Sequence, residues 1–305
     1  MMSDFTSGFW STYIVVFTVL AVIFCFLLLT IMGGGDKKSP DETTHVWDGD
    51  LTERNNPLPN WWRGLFVGLL VFTIGYLIYY PGLGSFPGIG NWSSVGQFEE
   101  EMKDLDAQTK PLYDRYLMMS VQQVAADSEA IGMAERLFLN NCAQCHGSDA
   151  KGSVGFPNLR SGAWSWGGTP EAIRESIAEG RTGLMTPLDG ILSESATTQV
   201  IAYVRSFSGL EHDAAAAAAG QPLFVENCSA CHGEYGRGVP EVGGPDLTDN
   251  VWVFGSSERA IRESVVNGRN MDLTEGTQAM PAHKELLSQG KVHLLTAYVW
   301  GLTNR

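Results

Sequence analysis

The sequence predicts an all-α protein in which two N-terminal transmembrane helices precede two similar helical units. Three observations support this prediction: two long apolar runs, a motif that occurs twice, and the lack of any convincing strand pattern. A chain of 305 residues is long enough for an anchor and two modest domains. We expect an anchor at 1–82, juxtamembrane linker and helices at 83–126, and units at 127–210 and 211–305.

The first apolar run extends over residues 9–32 and is long enough to cross a hydrocarbon core of about 30 Å as a helix. A cleaved signal peptide is the alternative. Such a peptide begins with positive charge and ends at small residues, whereas MMSDFTSG carries no Lys or Arg and IMGGGDKK is a poor cleavage site. The sequence therefore favours a retained helix.

The second apolar run, at about 61–81, is uncharged after Arg63 and has aromatic residues at both ends, as membrane interfaces favour. The loop between the two runs carries Lys37, Lys38 and Arg54, and positive loops stay in the cytoplasm. Both termini and everything after residue 82 are then expected outside.

Beyond the anchor, residues 83–96 are rich in Gly, Ser and Pro and resemble a linker. Residues 97–125 are charged at first and predict one or two helices, with a break near Pro111.

An internal repeat determines the predicted architecture of the remaining chain. NCAQCHGSDAKG, from Asn141, recurs as NCSACHGEYGRG, from Asn227. AIRESIAEGR at 172–181 recurs as AIRESVVNGR at 260–269. Each copy predicts a helix, a C-x-x-C-H loop, a short helix, a second loop and a terminal helix. The alanine run within 211–221 favours the opening helix of the second copy.

The C-x-x-C-H spacing indicates covalent attachment of haem c. Its two thiols can form thioethers with the haem vinyl groups, and its imidazole can bind the iron. A zinc ribbon needs a second C-x-x-C in each unit, and a thioredoxin motif needs a strand before its helix. Disulfides are a weaker alternative, since a histidine directly follows each pair. We expect two haems c, on Cys142 and Cys145 with His146, and on Cys228 and Cys231 with His232.

Two methionines are expected to supply the remaining iron ligands. Met185 and Met280 lie in Gly-, Pro- and Thr-rich loops before each terminal helix, where a packing methionine is unusual. Met271 is a rival for the second iron, but no proline follows it. The sequence leaves the pairing open: each methionine serves its own repeat, or the two repeats exchange them.

Four further residues are predicted to surround the haems. The carbonyls of Pro157 and Pro245 can accept a hydrogen bond from the histidine Nδ1–H. Arg181 and Arg269 can pair with haem propionates, although exposed helix-end arginines explain them equally well. The other histidines are expected at the surface: His45, His212, His283 and His293.

The net charge of −14 argues against a nucleic-acid partner, because phosphate binding requires a basic surface. It suits a partner with positive patches. No nucleophile–base pair, phosphate-binding loop or paired carboxylates stand out, so no catalytic site is expected.

The run NNPLPNWWRGLFVGLLVFTIGYLIYYPGLG at Asn55–Gly84, together with the tandem units and their methionine loops, resembles the CcoP/FixP family. These are the dihaem cytochrome c subunits of cbb3-type haem–copper oxidases. The resemblance covers residue 47 or so to the end. The additional first helix departs from the shorter family pattern.

This resemblance implies two tandem class I cytochrome c domains in the periplasm, anchored in a bacterial inner membrane. It implies an electron-input subunit that accepts electrons from a periplasmic cytochrome c and relays them toward a monohaem subunit and the oxygen-reducing catalytic subunit. The alternative function is a cytochrome subunit that carries electrons from a periplasmic dehydrogenase. A haem-based ligand sensor is a third hypothesis and requires an open iron position.

Overall fold

A computed structural model describes residues 7–32, 42–54, 58–270 and 279–304. The chain divides into two compact units, residues 1–107 and 108–305. Some residues used in the sequence predictions lie outside the described ranges: Lys37, Lys38, Met271, and the start of the Asn55–Gly84 run.

Two apolar helices dominate the first unit. They are α1, Gly8–Met32, and α2, Asn60–Tyr79, and both are long and apolar enough to span a membrane. None of the residues of α2 is buried against protein, which suits a helix that is apolar on all sides and faces lipid. Their bounds lie within two residues of the predicted runs.

A short hairpin lies between these helices. Strands β1, Glu42–Trp47, and β2, Leu51–Arg54, pair in antiparallel fashion. The turn places Asp48 and Gly49 at φ values of 49° and 89°, the left-handed conformation that Asp-Gly turns adopt. The sequence pattern predicts no strand here, although an Asp-Gly pair is a signal for a hairpin turn.

The Gly-rich segment after α2 is attached to the anchor and is not a free tether. The backbone N–H and the hydroxyl of Ser85 both bond to the Ser11 hydroxyl oxygen at 2.9 Å. Gly90 N–H bonds the Tyr79 carbonyl at 3.0 Å.

The predicted break near Pro111 is wrong. Helix α3 runs from Ser94 to Leu117 with Pro111 inside it. Proline removes one hydrogen bond, to the carbonyl of Ala107. Because Ala107 and Pro111 are both exposed, water can bond that carbonyl, and the helix continues.

The second unit is helical, and its two repeats form equivalent elements. Asp127 and Asp213 cap the opening helices α5 and α9 through hydrogen bonds to backbone N–H groups. Helix α9 begins at Ala214, so the alanine run opens it as predicted. The helices are α4 Val121–Ala126, α5 Ser128–Asn141, α6 Ala143–His146, α7 Pro170–Glu179, α8 Glu194–Phe207, α9 Ala214–Asn227, α10 Ser229–His232, α11 Glu258–Asn267 and α12 Gln289–Asn304.

The terminal helices of the two repeats are exchanged. Helix α8, from the first repeat, packs against α9 and α11 of the second, and α12 packs against α4, α5 and α7 of the first. We call the group of α4–α7 with α12 lobe A, and the group of α8–α11 lobe B. Each lobe has its own buried apolar cluster.

The cores show why an exchange is possible. In lobe A, Phe138 of α5 and Leu295 of α12 are fully buried in one cluster, and in lobe B Val200 of α8 and Phe224 of α9 are fully buried in another. The repeat pattern in the sequence predicts α8 as part of the unit at 127–210 and α12 as part of the unit at 211–305. Because VIAYVRSF and LLTAYVWGL offer similar apolar faces, each terminal helix can fill either lobe.

Gly220 sets the close approach of α8 and α9, since an added Cβ would lie 2.0 Å from the Gln199 carbonyl oxygen. We expect Gly220→Ala to lower the free energy of unfolding by about 1–3 kcal/mol through overpacking. Denaturant unfolding of the detergent-solubilised full-length protein, followed by circular dichroism, would measure it.

Gly132 of α5 provides the matched control, because a Cβ there would meet nothing within 4 Å. Gly132→Ala should raise stability by about 0.5–1 kcal/mol, the usual gain from removing a helical glycine. Equal stability of the Gly220→Ala variant and its parent would contradict the close approach.

Candidate haem sites

Each C-x-x-C-H motif begins at the end of a helix and forms one short helical turn. The Cys142 N–H bonds the Phe138 carbonyl in the last turn of α5 at 2.8 Å, and the His146 N–H bonds the Cys142 carbonyl at 3.0 Å. The same two bonds, at the same distances, hold Cys228 and His232 after α9. Positions i, i+3 and i+4 of a helix share a face, so both thiols and the imidazole of each motif can serve one ligand.

A backbone carbonyl orients each imidazole. His146 Nδ1 lies 3.1 Å from the Pro157 carbonyl oxygen, and His232 Nδ1 lies 3.1 Å from that of Pro245. These are the carbonyls that the sequence proposed. A carbonyl can only accept, so Nδ1 carries the hydrogen and Nε2 retains a free lone pair for iron.

Burial keeps these groups neutral at physiological pH. It lowers the pKa of His146 and His232, and the hydrogen bonds to Pro157 and Pro245 oppose it only in part. Neutral imidazole is the form that binds metals. Burial, with a smaller effect of the neighbouring cysteine, raises the pKa of Cys142 and of Cys228 to about 11. All five cysteines are free.

Each candidate methionine is bonded to the backbone of the other repeat. Met280 N–H bonds the Arg181 carbonyl at 2.8 Å, and Arg181 N–H bonds the Met280 carbonyl at 3.0 Å. Met185 and Arg269 make the equivalent pair of bonds, at 3.1 and 2.8 Å. Met280 consequently packs on the lobe A cluster, as Cys142 does, and Met185 packs on the lobe B cluster, as Cys228 does.

The two arginines are held in place by polar and aromatic partners. Arg181 Nε bonds the Ser176 hydroxyl at 3.0 Å, and its guanidinium lies 4.9 Å from the ring centre of Trp166. Arg269 makes equivalent contacts: its Nε bonds the Ser264 hydroxyl at 2.9 Å, and its guanidinium lies 4.3 Å from the ring centre of Phe254. Both arginines line the cavity described next, so neither is a free helix-end group.

One continuous cavity of about 490 Å³ contains both sets of groups. All four motif cysteines, both motif histidines and both methionines line it, and most of its remaining wall is apolar. Trp252 Nε1 is buried there with no partner among the described residues, and a buried donor requires an acceptor. Within the same ranges, no three His, Cys, Asp or Glu side chains converge to hold a bare metal ion.

These residues fit haem. The apolar wall suits the macrocycle, the thiols suit its vinyl groups, and imidazole and thioether are both iron ligands. Arg181, Arg269 and Trp252 are donors of the kind that its carboxylates require.

Comparison with known proteins agrees with this geometry. The family described as "Cytochrome C oxidase, cbb3-type, subunit III" matches residues 130–204 and 215–299, and "N-terminal domain of cytochrome oxidase-cbb3, FixP" matches residues 39–87. The subunit CcoP of Rubrivivax gelatinosus is 43% identical over 304 residues, 99% of this chain and 97% of its own length. The chain belongs to the CcoP/FixP family.

Other members of the family are less similar in sequence, but the match again covers most of both chains. CcoP of Cereibacter sphaeroides is 33% identical over 86% of this chain and 94% of its own length. FixP of a Bradyrhizobium species is 36% identical over 85% and 93%, respectively. The chain is thus a membrane-anchored CcoP/FixP-type subunit whose tandem cytochrome c domains bind haem c.

Trp166 of lobe A lies against the backbone of Gly243 of lobe B, a loop contact that no periodic pattern in the sequence marks. Two histidines of this CcoP/FixP chain were wrongly predicted at the surface. His283 was predicted at the surface, but it is buried and lines the cavity, because the exchanged Met280 segment carries it inward. The prediction that His293 lies at the surface is also wrong, because His293 is half-buried and bonds the Met119 carbonyl at 3.0 Å.

Gly180 precedes Arg181 and Gly268 precedes Arg269, and the missing side chain of each glycine leaves room for the methionine segment of the other repeat. A Cβ on Gly180 would lie 2.4 Å from the Met280 carbonyl oxygen. We expect Gly180→Ala to displace Met280 and to weaken the sulfur-to-iron charge-transfer band of the oxidised protein. Absorption spectroscopy of the purified protein would measure it.

Gly162→Ala is the matched control, because Gly162 has a similar φ of +77° but nothing within 4 Å of its Cβ position. It imposes the same backbone strain without the clash, so the band should persist. Equal loss of the band in both variants would show that strain alone is responsible.

Proposed function

We propose that this chain is the electron-input subunit of a cbb3-type oxidase. It accepts electrons from a periplasmic cytochrome c and relays them, through two covalently attached haems c, toward the oxygen-reducing catalytic subunit. The observation that carries this proposal is the single cavity lined by both histidine–methionine sets. Two redox groups in one cavity are arranged for transfer from one to the other.

The proposed ligand sets combine residues from both repeats. In lobe A, Cys142 and Cys145 attach the haem and His146 and Met280 bind its iron; in lobe B, Cys228, Cys231, His232 and Met185 do the same. The reciprocal bridges Arg181–Met280 and Arg269–Met185 support this exchanged pairing over the alternative in which each repeat uses its own methionine.

Complete coordination directs the chemistry toward electron transfer. The bound haem iron supplies a one-electron ferric–ferrous couple, and histidine–methionine ligation raises its potential. The chain's own residues fix the imidazoles through Pro157 and Pro245, and Arg181 and Arg269 in the cavity wall would pair with the haem carboxylates. If His146 with Met280 and His232 with Met185 hold the two irons, neither haem would have an open site for a sensed ligand.

The proposed setting is the inner membrane of a bacterium, with the hairpin loop in the cytoplasm and both lobes in the periplasm. The proposed partners are the catalytic subunit, a monohaem cytochrome subunit and a soluble or membrane-bound cytochrome c donor. A net charge of −14 suits a donor with a positive docking face, because complementary charge accelerates encounter. Membership of the oxidase family does not favour the dehydrogenase-linked alternative.

The pairing can be tested in a chain that retains one haem. In a Cys228→Ala/Cys231→Ala background only the lobe A haem is attached. Adding Met280→Ala should abolish the sulfur-to-iron charge-transfer band, because the thioether ligand is lost, whereas adding Met185→Ala should leave it. Haem staining of the denatured chain verifies that one haem remains.

The reciprocal background provides the control. With Cys142→Ala/Cys145→Ala, the band should depend on Met185 and not on Met280. Dependence of the lobe A band on Met185 would establish the unexchanged pairing.

The proposed role predicts the composition of the native complex. Affinity purification of the tagged full-length chain from membranes should recover a copper-containing oxidase, and a pyridine haemochrome assay of the purified chain should give two haems c. Recovery of a quinoprotein or flavoprotein dehydrogenase without the oxidase would contradict the assignment. A haemochrome count of one would contradict the second site.

A further inference from the structure

The two lobes differ at one position that faces the haem cavity. His283 is the third residue after Met280, and Leu188 is the third after Met185. Their backbone N–H groups bond the carbonyls of equivalent residues, at 3.2 Å to Ile177 and at 2.9 Å to Val265. An imidazole in lobe A therefore occupies the place of an isobutyl group in lobe B.

The environment of His283 is unusual for an imidazole. The side chain is 8% exposed and lines the cavity, and its Nδ1 has no hydrogen-bond partner among the described residues. A buried polar group without a hydrogen-bond partner destabilises the folded protein. Leu188, packed against the lobe B cluster, carries no such penalty. The polar residue requires a partner that the described chain does not supply.

Among the described residues, the neighbouring charged groups supply no hydrogen-bond acceptor to His283 Nδ1. Lys284 and Glu179 pair with each other at 2.6 Å, and both are half-exposed, at the surface. His146, which also lines the cavity, uses its own Nδ1 on Pro157. Haem is apolar over its macrocycle, and its carboxylates are its hydrogen-bond acceptors.

We propose that His283 Nδ1–H donates a hydrogen bond to a carboxylate of the haem in lobe A, and that this positioning residue sets the two haem potentials apart. The inference rests on the proposed pairing of His146 with Met280. A donor on the carboxylate draws negative charge away from the iron, and negative charge near the iron favours its ferric form. The bond therefore raises the potential of the lobe A haem, and Leu188 provides no counterpart in lobe B.

The test replaces His283 by the residue that lobe B uses. In His283→Leu, the reduced-to-oxidised ratio of the lobe A haem at fixed potential should fall by up to about tenfold, equivalent to about 59 mV for a one-electron couple. The lobe B haem should not shift. Spectroelectrochemical titration of the purified full-length protein resolves the two, and the Cys228→Ala/Cys231→Ala background assigns the lobe A component.

His283→Asn and Leu287→Ala are the control variants. Asparagine keeps an N–H at the position of Nδ1 and should restore most of the potential. Leu287 is buried in the same segment but does not line the cavity, so its truncation should lower stability without shifting either potential. The carboxylate bending band in the resonance Raman spectrum should change in His283→Leu and be recovered in His283→Asn.

Several results would overturn the inference: an unchanged potential in His283→Leu, a carboxylate band that does not move, a failure of asparagine to restore the potential, or an equal shift from Leu287→Ala. The haemochrome count and the charge-transfer band, measured on the same samples, separate this failure from failure of the haem sites themselves. Both remain normal if only the role of His283 is wrong.

Discussion

Four main-chain hydrogen bonds, two between Arg181 and Met280 and two between Arg269 and Met185, determine how residues 108–305 are built. Each bond contributes about 1 kcal/mol. Their larger effect is positional, because they place each methionine segment against the helix of the other repeat. The terminal helix that follows each segment then enters that lobe, where its apolar face is buried. The proposed ligand sets, the shared cavity and the inward position of His283 all depend on this exchange.

Two ion pairs also connect the two repeats, but they contribute little to the stability of the exchanged arrangement. Lys284 with Glu179, and Arg262 with Glu194, link residues of opposite repeats at 2.6 Å. At least one partner of each pair is well exposed, and exposed ion pairs contribute little. The burial of Leu295 in lobe A and of Val200 in lobe B removes far more apolar surface from water. Packing therefore holds the interleaved helices, and the ion pairs lie at their edges.

Local spacing in the sequence was sufficient to predict most of the helices. The apolar runs and the C-x-x-C-H motifs are short-range patterns, and the structure has helices where they predicted them. The exchange of α8 and α12 was not predictable in this way, because similar repeats offer similar apolar faces and no local pattern states which partner is chosen. The burial of His283 was not predictable for a related reason. His283 lies on a loop, where no periodic pattern shows which side faces inward. At Pro111 the general rule for proline failed because the helix is exposed there.

The exchange also has a consequence for biogenesis. A polypeptide crosses the membrane from its N-terminus, and domains begin to fold as they emerge. Lobe B is complete once α11 has been synthesised, whereas lobe A requires α12, and its Glu179–Lys284 contact spans 105 residues. Contacts so distant in sequence form slowly. In the proposed topology and pairing, the C-x-x-C-H motif of lobe A thus reaches the periplasm first and receives its methionine last.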